Sequence, residues 1–313
     1  RHVYAITYLQ VPCHSHSAGK RAISAYNRAS GQTSATGDRG IFSDAAIVGN
    51  VHLVIEYDTV LDHRMIQSPA VDRCTGANLH IIADDAQVHV DASVGPHVVI
   101  ESGAEVGAGA VLDAGVYLGR DSRVGEGSRI FPQAVLHHDV HIGRQCVIHS
   151  QAVLGADGFG YAPGPDGWEK ISQTGGVRIG DRVEIGACTT VDRGTLEHTE
   201  IADGVIIDNQ VQIAHNCRIG KNTAIAGCTG LAGSTIIGAN CTLAGGVGVV
   251  GHVEICDNVH ITGMSMVTRS ITVPGSYSSG TPMGATSEWK RNAVRFSQLE
   301  SLQQRIARLE KQR

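Results

Sequence analysis

Residues 201–220 read IADGVIIDNQVQIAHNCRIG, and Ile201, Ile207, Ile213 and Ile219 recur at a strict interval of six. The interval continues through Ile225, Leu231, Ile237, Leu243, Val249, Ile255, Ile261, Val267 and Val273. Upstream it runs without a miss from Ile82 through Val88, Val94, Ile100, Val106, Leu112, Leu118, Val124, Ile130, Leu136, Ile142 and Ile148 to Leu154, and it returns briefly as Ile179, Ile185 and Val191 before slipping by four residues to Ile201. A helix buries positions three and four apart and a simple strand every second one, so neither explains a period of six. A six reads as one short flat side and one turn, with an aliphatic side chain pointing inward once per side. Three sides close a triangular coil of about 18 residues, and the repeat predicts about ten such coils stacked at strand spacing, roughly 4.8 Å apart. The expected architecture is a mainly β, parallel β-helix. Gly95, Gly107, Gly119, Gly125, Gly143, Gly180, Gly220 and Gly238 each follow an inward residue, where the chain is expected to turn tightly.

Composition agrees. Glycine is abundant at 39 of 313 residues and aromatics are scarce at 4%, which disfavours an ordinary aromatic-rich core. The glycines follow no collagen period, and an apolar content of 42% is too high for disorder. No apolar run reaches the roughly 18 residues of a membrane-spanning helix. A net charge of −5 gives no electrostatic case for nucleic acid. None of the eight cysteines forms a C-x-x-C pair, so they read as reduced thiols serving as small apolar residues. No leader pattern is visible, and a cytoplasmic location is expected.

Three regions fall outside the repeat. Residues 1–78 alternate weakly, as in Ala45-Ala46-Ile47-Val48, and read as a small diverged or truncated α/β piece. Residues 155–178 are an insertion expelled from the 79–280 β-helix domain; Phe159, Tyr161 and Trp168 make it a candidate binding lid. Residues 281–313 are expected to carry one C-terminal α-helix, from about residue 286, because Trp289, Ala293, Phe296, Leu299, Leu302, Ile306 and Leu309 fall at helical steps. That stripe needs a partner, which in a cyclic oligomer is the same helix of a neighbouring copy. The helix carries seven cations against Glu288, Glu300 and Glu310, a local balance of +4, with Lys290, Arg291 and Arg295 as a candidate docking patch for an acidic partner.

Coil arithmetic selects two of the sixteen histidines. His215 stands two residues after inward Ile213 and His252 three after inward Val249, two coils further on. Both lie on one edge, roughly 10 Å apart along the axis. The position between them is Gly233, with Ser234 beside it, and a small residue there is expected to leave a groove with an accessible backbone N–H. An imidazole takes a proton near neutral pH, and a backbone N–H steadies an oxyanion, so the set suits acyl transfer from a thioester to an attacking amine or alcohol. His137, His138 and His141 raise a metal reading, but two are adjacent and their side chains diverge, so no metal is expected. Gly155–Gly160 precedes a loop rather than a helix and is not a nucleotide fingerprint.

The segments Ile148–Gly160, Val183–Gly194, Asp208–Asn216 and Thr262–Gly275 resemble the UDP-3-O-acylglucosamine N-acyltransferases of lipid A biosynthesis, over about residues 85–313. The resemblance implies a homotrimer of left-handed β-helices. It implies transfer of a 3-hydroxyacyl chain from acyl carrier protein to the 2-amino group of a UDP-glucosamine lipid precursor. No cofactor is implied beyond the phosphopantetheine that arrives on the carrier. It places the general base on His215, the oxyanion donor on Gly233 and a substrate-positioning histidine on His252. Asp208, Asn209, Phe159 and Ser234 are the candidate substrate-binding residues. Residues 1–78 depart from the family, whose uridine-binding stretch resembles Ser-Phe-Leu-Ala-Asn-Pro-x-Tyr; here the nearest stretch, Pro12–Gly19, lacks its aromatics and its Asn. The alternatives are a related sugar O-acyltransferase, a γ-type carbonic anhydrase and a non-catalytic β-helix scaffold.

Overall fold

The computed structural model describes residues 3–8, 78–83 and 85–311. The expected 1–78 domain lies outside the described residues, apart from a strand Val3–Tyr8 that pairs antiparallel with Asn78–Ala83. From there the chain winds as a left-handed parallel β-helix. Short strands stack into three parallel sheets, two of ten strands and one of nine, so the coil count inferred from the hexads holds. Registers advance by one coil at a time: Ile213 pairs with Leu231, Leu231 with Val249 and Val249 with Val267.

Each side buries two residues. The second strand residue is the aliphatic of the hexad, and Ile100, Leu118, Leu136, Leu154, Ile213 and Leu231 are all buried. A small residue two positions earlier completes the ring, as Val98, Val116, Ala134 and Val211 do. Hydroxyls at the same kind of position are satisfied by carbonyls: Ser122 Oγ donates to His137 O at 2.7 Å and Thr223 Oγ1 to Gly238 O at 2.8 Å. Three cysteines occupy this ring as expected. Cys146, Cys217 and Cys241 are buried, and burial pushes the Cys217 thiol up to about 11. Cys188 and Cys228 do not; they are exposed turn residues with φ of 58° and 59°.

The turns follow the expected glycines, and the glycines serve them in a particular way. The glycines after inward residues do not supply positive φ; they let the next coil approach. An added Cβ at Gly125 would stand 2.3 Å from Gly143 O, and one at Gly143 would stand 2.4 Å from Gly180 O. The left-handed residue comes two places later, where Asn222, Asn240 and Asn258 take φ of 55–59°. Asparagine tolerates that region through local hydrogen bonding.

The three sides differ outwardly. One presents Glu105, Arg123, His141, Arg178, Glu200 and Arg218, with a Glu105–Arg123 pair at 3.3 Å, and is a solvated face. Another presents Val99, Tyr117, Val135, Val153, Thr190, Gln212, Gly230, Gly248 and Met266, and is mostly apolar or small.

Three boundaries move. The strand before the insertion runs to Ala156 and the next begins at Val177, so the excursion is 157–176, and it is not a plain loop: Tyr161–Gly164 and Gly167–Lys170 form an antiparallel hairpin. The four-residue slip is a second excursion between Thr190–Asp192 and Thr199–Ile201. At the far end Val273 is 62% exposed, because Ile271 instead makes the bridge to Ile255.

Residues 279–313 form a separate compact unit. They carry two helices rather than one, α1 (Thr286–Phe296) and α2 (Leu299–Glu310). The Ser297 hydroxyl donates to Val294 O at 2.7 Å and Gln298 N–H to Arg295 O at 3.0 Å, so the backbone tightens and the regular ladder breaks there. The stripe Trp289, Phe296, Leu299, Leu302, Ile306 and Leu309 is exposed.

Candidate active site

His215 sits in the turn that follows the Gln212–Ile213 strand. Gly233 occupies the same place one coil on, and Ser234 N–H donates to His215 O at 2.9 Å. His252 lies a further coil on and one residue later, with φ of 61°, and its N–H donates to Gly233 O at 3.1 Å. The structure therefore brings His215, Gly233, Ser234 and His252 onto one edge, as the arithmetic requires.

The space at Gly233 is not an empty notch. An added Cβ there would stand 2.6 Å from both Cε1 and Nε2 of His215. The glycine is a bed for the imidazole ring. No carbonyl among the described residues accepts Gly233 N–H. The open groove, of about 660 Å³, is on the apolar side and is lined by Ala214 and Ala232, the chain neighbours of His215 and Gly233. Gly230 and Gly248, stacked in register, leave its wall bare, and Met266 folds back at one end, its sulfur 2.8 Å from where a Gly248 Cβ would be. Asp192, Gln212 and the insertion residues Asp157, Gly158 and Phe159 also line it.

One residue missed from sequence decides the tautomer. His215 Nδ1 lies 3.0 Å from Asn216 Oδ1, and the same oxygen accepts Thr195 N–H at 3.0 Å. An amide oxygen only accepts, so Nδ1 is a donor and the neutral ring has its lone pair on Nε2. Asn216 is fixed in turn by Thr199 Oγ1, which accepts its backbone N–H at 2.9 Å.

The insertion is tied to this edge. An added Cβ at Gly158 would stand 2.7 Å from His215 Cβ. Beneath it the nearly buried Gln173 accepts Thr195 Oγ1–H at 3.1 Å and donates to Ile171 O at 3.1 Å. The anchor is Arg193, only 1% exposed. Its Nε donates to Gly155 O at 2.8 Å, Nη1 to Gly175 O at 3.2 Å and Nη2 to His138 O at 2.5 Å, joining both ends of the insertion to an earlier coil. Asp157 lies 3.8 Å from the same guanidinium and bonds Lys170, which holds its carboxyl below the usual range. His138 and His137 are pulled down by burial and then by Arg193. Among the described residues no group of three or more His, Cys, Asp or Glu is arranged to hold a metal.

Other expected site residues lie elsewhere. Asp208 and Asn209 stand on the edge that precedes the Gln212–Ile213 strand, not the one that follows it, and within one chain they do not meet His215. Asp208 Oδ2 accepts Gly227 N–H at 3.0 Å and Asn209 Oδ1 accepts Ala187 N–H at 2.6 Å, so both cap neighbouring turns. Phe159 is 86% exposed and packs on Tyr161 with centroids 5.1 Å apart. Lys290, Arg291 and Arg295 are exposed on α1.

Residues 121–156 and 198–233 match the family described as bacterial transferase hexapeptide (six repeats). The UDP-3-O-acylglucosamine N-acyltransferase of Pseudomonas paraeruginosa is 50% identical over 275 residues, covering 87% of this chain and 76% of the relative. The chain belongs to the UDP-3-O-acylglucosamine N-acyltransferase family. The family's Pseudomonas syringae pv. tomato member is 52% identical over 231 residues, and there the chain spans 66% of the relative's length. A solved structure of LpxA from Acinetobacter baumannii, 22% identical, superposes with a TM-score of 0.50 over 68% of this chain and 75% of the other, and shares the fold.

Proposed function

We propose that the protein transfers a 3-hydroxyacyl chain from the phosphopantetheine thioester of acyl carrier protein to the 2-amino group of a UDP-3-O-acylglucosamine, a cytoplasmic step of lipid A biosynthesis that needs no other cofactor. The carrying observation is an imidazole with its Nδ1 donating to Asn216, in the turn that adjoins a groove walled by Gly230 and Gly248, in a chain of this family. Nε2 of His215 takes a proton from the amine as nitrogen bonds to the thioester carbon. The carbonyl oxygen gains charge and is steadied by Gly233 N–H. The tetrahedral adduct expels the pantetheine thiolate, which receives the proton back from the imidazolium. His252 and Ser234 position the substrate along the same edge, and Phe159 covers it from the insertion.

The working assembly is a homotrimer. Support comes from the apolar side of the prism and from the separation of Asp208 and Asn209 from His215, which a neighbouring copy supplying the other wall resolves. Lys290, Arg291 and Arg295 dock the acidic carrier. The test is an assay with acyl carrier protein thioester and UDP-3-O-acylglucosamine, with mass by light scattering. Amide formation by a particle of three times 32.9 kDa is expected. His215→Ala lowers turnover by roughly 10²–10⁴ with the fold intact. Near-normal turnover in that variant would refute the assignment of the base.

A further inference from the structure

The groove beside His215 holds two carboxylates, and the fold treats them differently. Asp157 is neutralised by Lys170 and by the Arg193 guanidinium. Asp192 has no such cation: among the described residues none lies within ion-pair distance of it. Its Oδ2 accepts a single neutral hydrogen bond, from Gln212 Nε2 at 3.0 Å. The orientation of that amide is fixed, because Gln212 Oε1 accepts the Thr190 hydroxyl. Asp192 opens its turn directly after inward Val191, one coil before Ala214 and His215, and it is partly buried in the groove wall. Burial pushes its carboxyl above the usual range, while the Gln212 hydrogen bond and, when its ring is protonated, His215 act the other way. A carboxylate kept partly out of water without a counter-ion costs stability, and a ligand of positive charge removes that cost.

We propose that Asp192 is the acceptor-recognition residue: its carboxylate binds the ammonium form of the acceptor amine beside His215 and selects an amine over a hydroxyl. This rests on the acyl-transfer reading of the site. An amine reaches the groove at neutral pH largely as ammonium, which cannot attack. It gives one proton to the Asp192 carboxylate, and the neutral amine then attacks the thioester carbon. As the C–N bond forms, the second proton passes to Nε2 of His215, and as the C–S bond breaks it passes on to the leaving thiolate. The Asp192 proton is released to water through the groove. The balance is one amide, one thiol and one proton from one ammonium and one thioester. A hydroxyl acceptor brings neither the charge nor the extra proton, and leaves the carboxylate unpaired.

The test uses the full chain, wild type and Asp192→Asn, which keeps the Gln212 contact and removes the charge. Transfer from acyl carrier protein thioester to UDP-3-O-acylglucosamine by the wild type establishes the acyl-transfer reading separately. Calorimetric binding then compares that amine with UDP-3-O-acylglucose, its 2-hydroxy counterpart, and reads recognition without turnover. A charge-assisted hydrogen bond predicts that Asp192→Asn weakens amine binding and raises its KM by about tenfold or more. Binding of the hydroxyl analogue and the KM for the carrier donor stay within about twofold. The variant melts at or above the wild-type temperature, because a carboxyl raised by burial opposes folding as pH rises through its raised value. Unchanged amine affinity, or equal loss for both acceptors with a lower melting temperature, overturns the assignment. Wild-type protein that binds the amine preferentially but transfers nothing sinks the acyl-transfer reading and leaves the recognition by Asp192 standing.

Discussion

Replacing Gly233 with alanine tests the geometry at the centre of the site. The new Cβ would stand 2.6 Å from His215 Cε1 and Nε2, against an ordinary carbon contact of about 3.5–4.0 Å. The ring must retreat by roughly 1 Å, and it is the free end of a side chain, so the backbone need not follow. A misplacement of about 1 Å in a reacting group costs on the order of 10²-fold in rate. Alanine keeps the backbone N–H, so the loss cannot come from a deleted oxyanion donor. Two neighbours calibrate the effect. A Cβ at Gly230 meets nothing within 4 Å, so Gly230→Ala spares the ring and only narrows the groove. A Cβ at Gly251 meets Gly233 O at 2.9 Å, so Gly251→Ala strains backbone and lowers the melting temperature. The assay is steady-state acyl transfer from carrier thioester with thermal unfolding of all three variants. Gly233→Ala is expected to lose about 10² in kcat with a melting temperature near wild type. Turnover within a factor of three of wild type would show that His215 is not held on Gly233.

Met266 closes one end of the groove over Gly248, so Met266→Ala is expected to shift donor preference in competition assays toward longer acyl chains; an unchanged chain-length profile contradicts the groove as the acyl site. Arg193→Met strands three carbonyls and is expected to cost on the order of 3 kcal/mol or more, with faster proteolysis between residues 157 and 176; an unchanged cleavage rate refutes the anchor. Lys290→Glu with Arg291→Glu and Arg295→Glu is expected to raise KM for the carrier-linked donor and not for a short pantetheine thioester. Transfer from the carrier also slows as salt rises from about 50 to 500 mM, and equal loss with both donors removes the helix from docking.

The period of six was sufficient for the prism because every inward aliphatic meets the same environment one coil away. Such stacking makes residue number a measure of position along the axis, and that is why spacing alone puts His215, Gly233 and His252 on one edge. The same arithmetic places the glycines at the turns, but period alone does not separate close approach from positive φ. It also read one helix where Ser297 divides two, because an apolar stripe continues through a tightened turn.

What the sequence determined by itself is the part that repeats: fold, coil number, the buried aliphatics and the edge bearing the histidines. What only the tertiary structure decided lies where the repeat is broken. Asn216 sets the tautomer of His215, Arg193 fixes the insertion and, among the described residues, no cation pairs with Asp192. The first two do not follow from spacing, because they depend on the excursions, 157–176 and 193–198, folding back on the coil edge. A periodic pattern encodes contacts between equivalent positions one coil apart. Contacts from inserted segments have no such equivalent, and only the packed chain defines them.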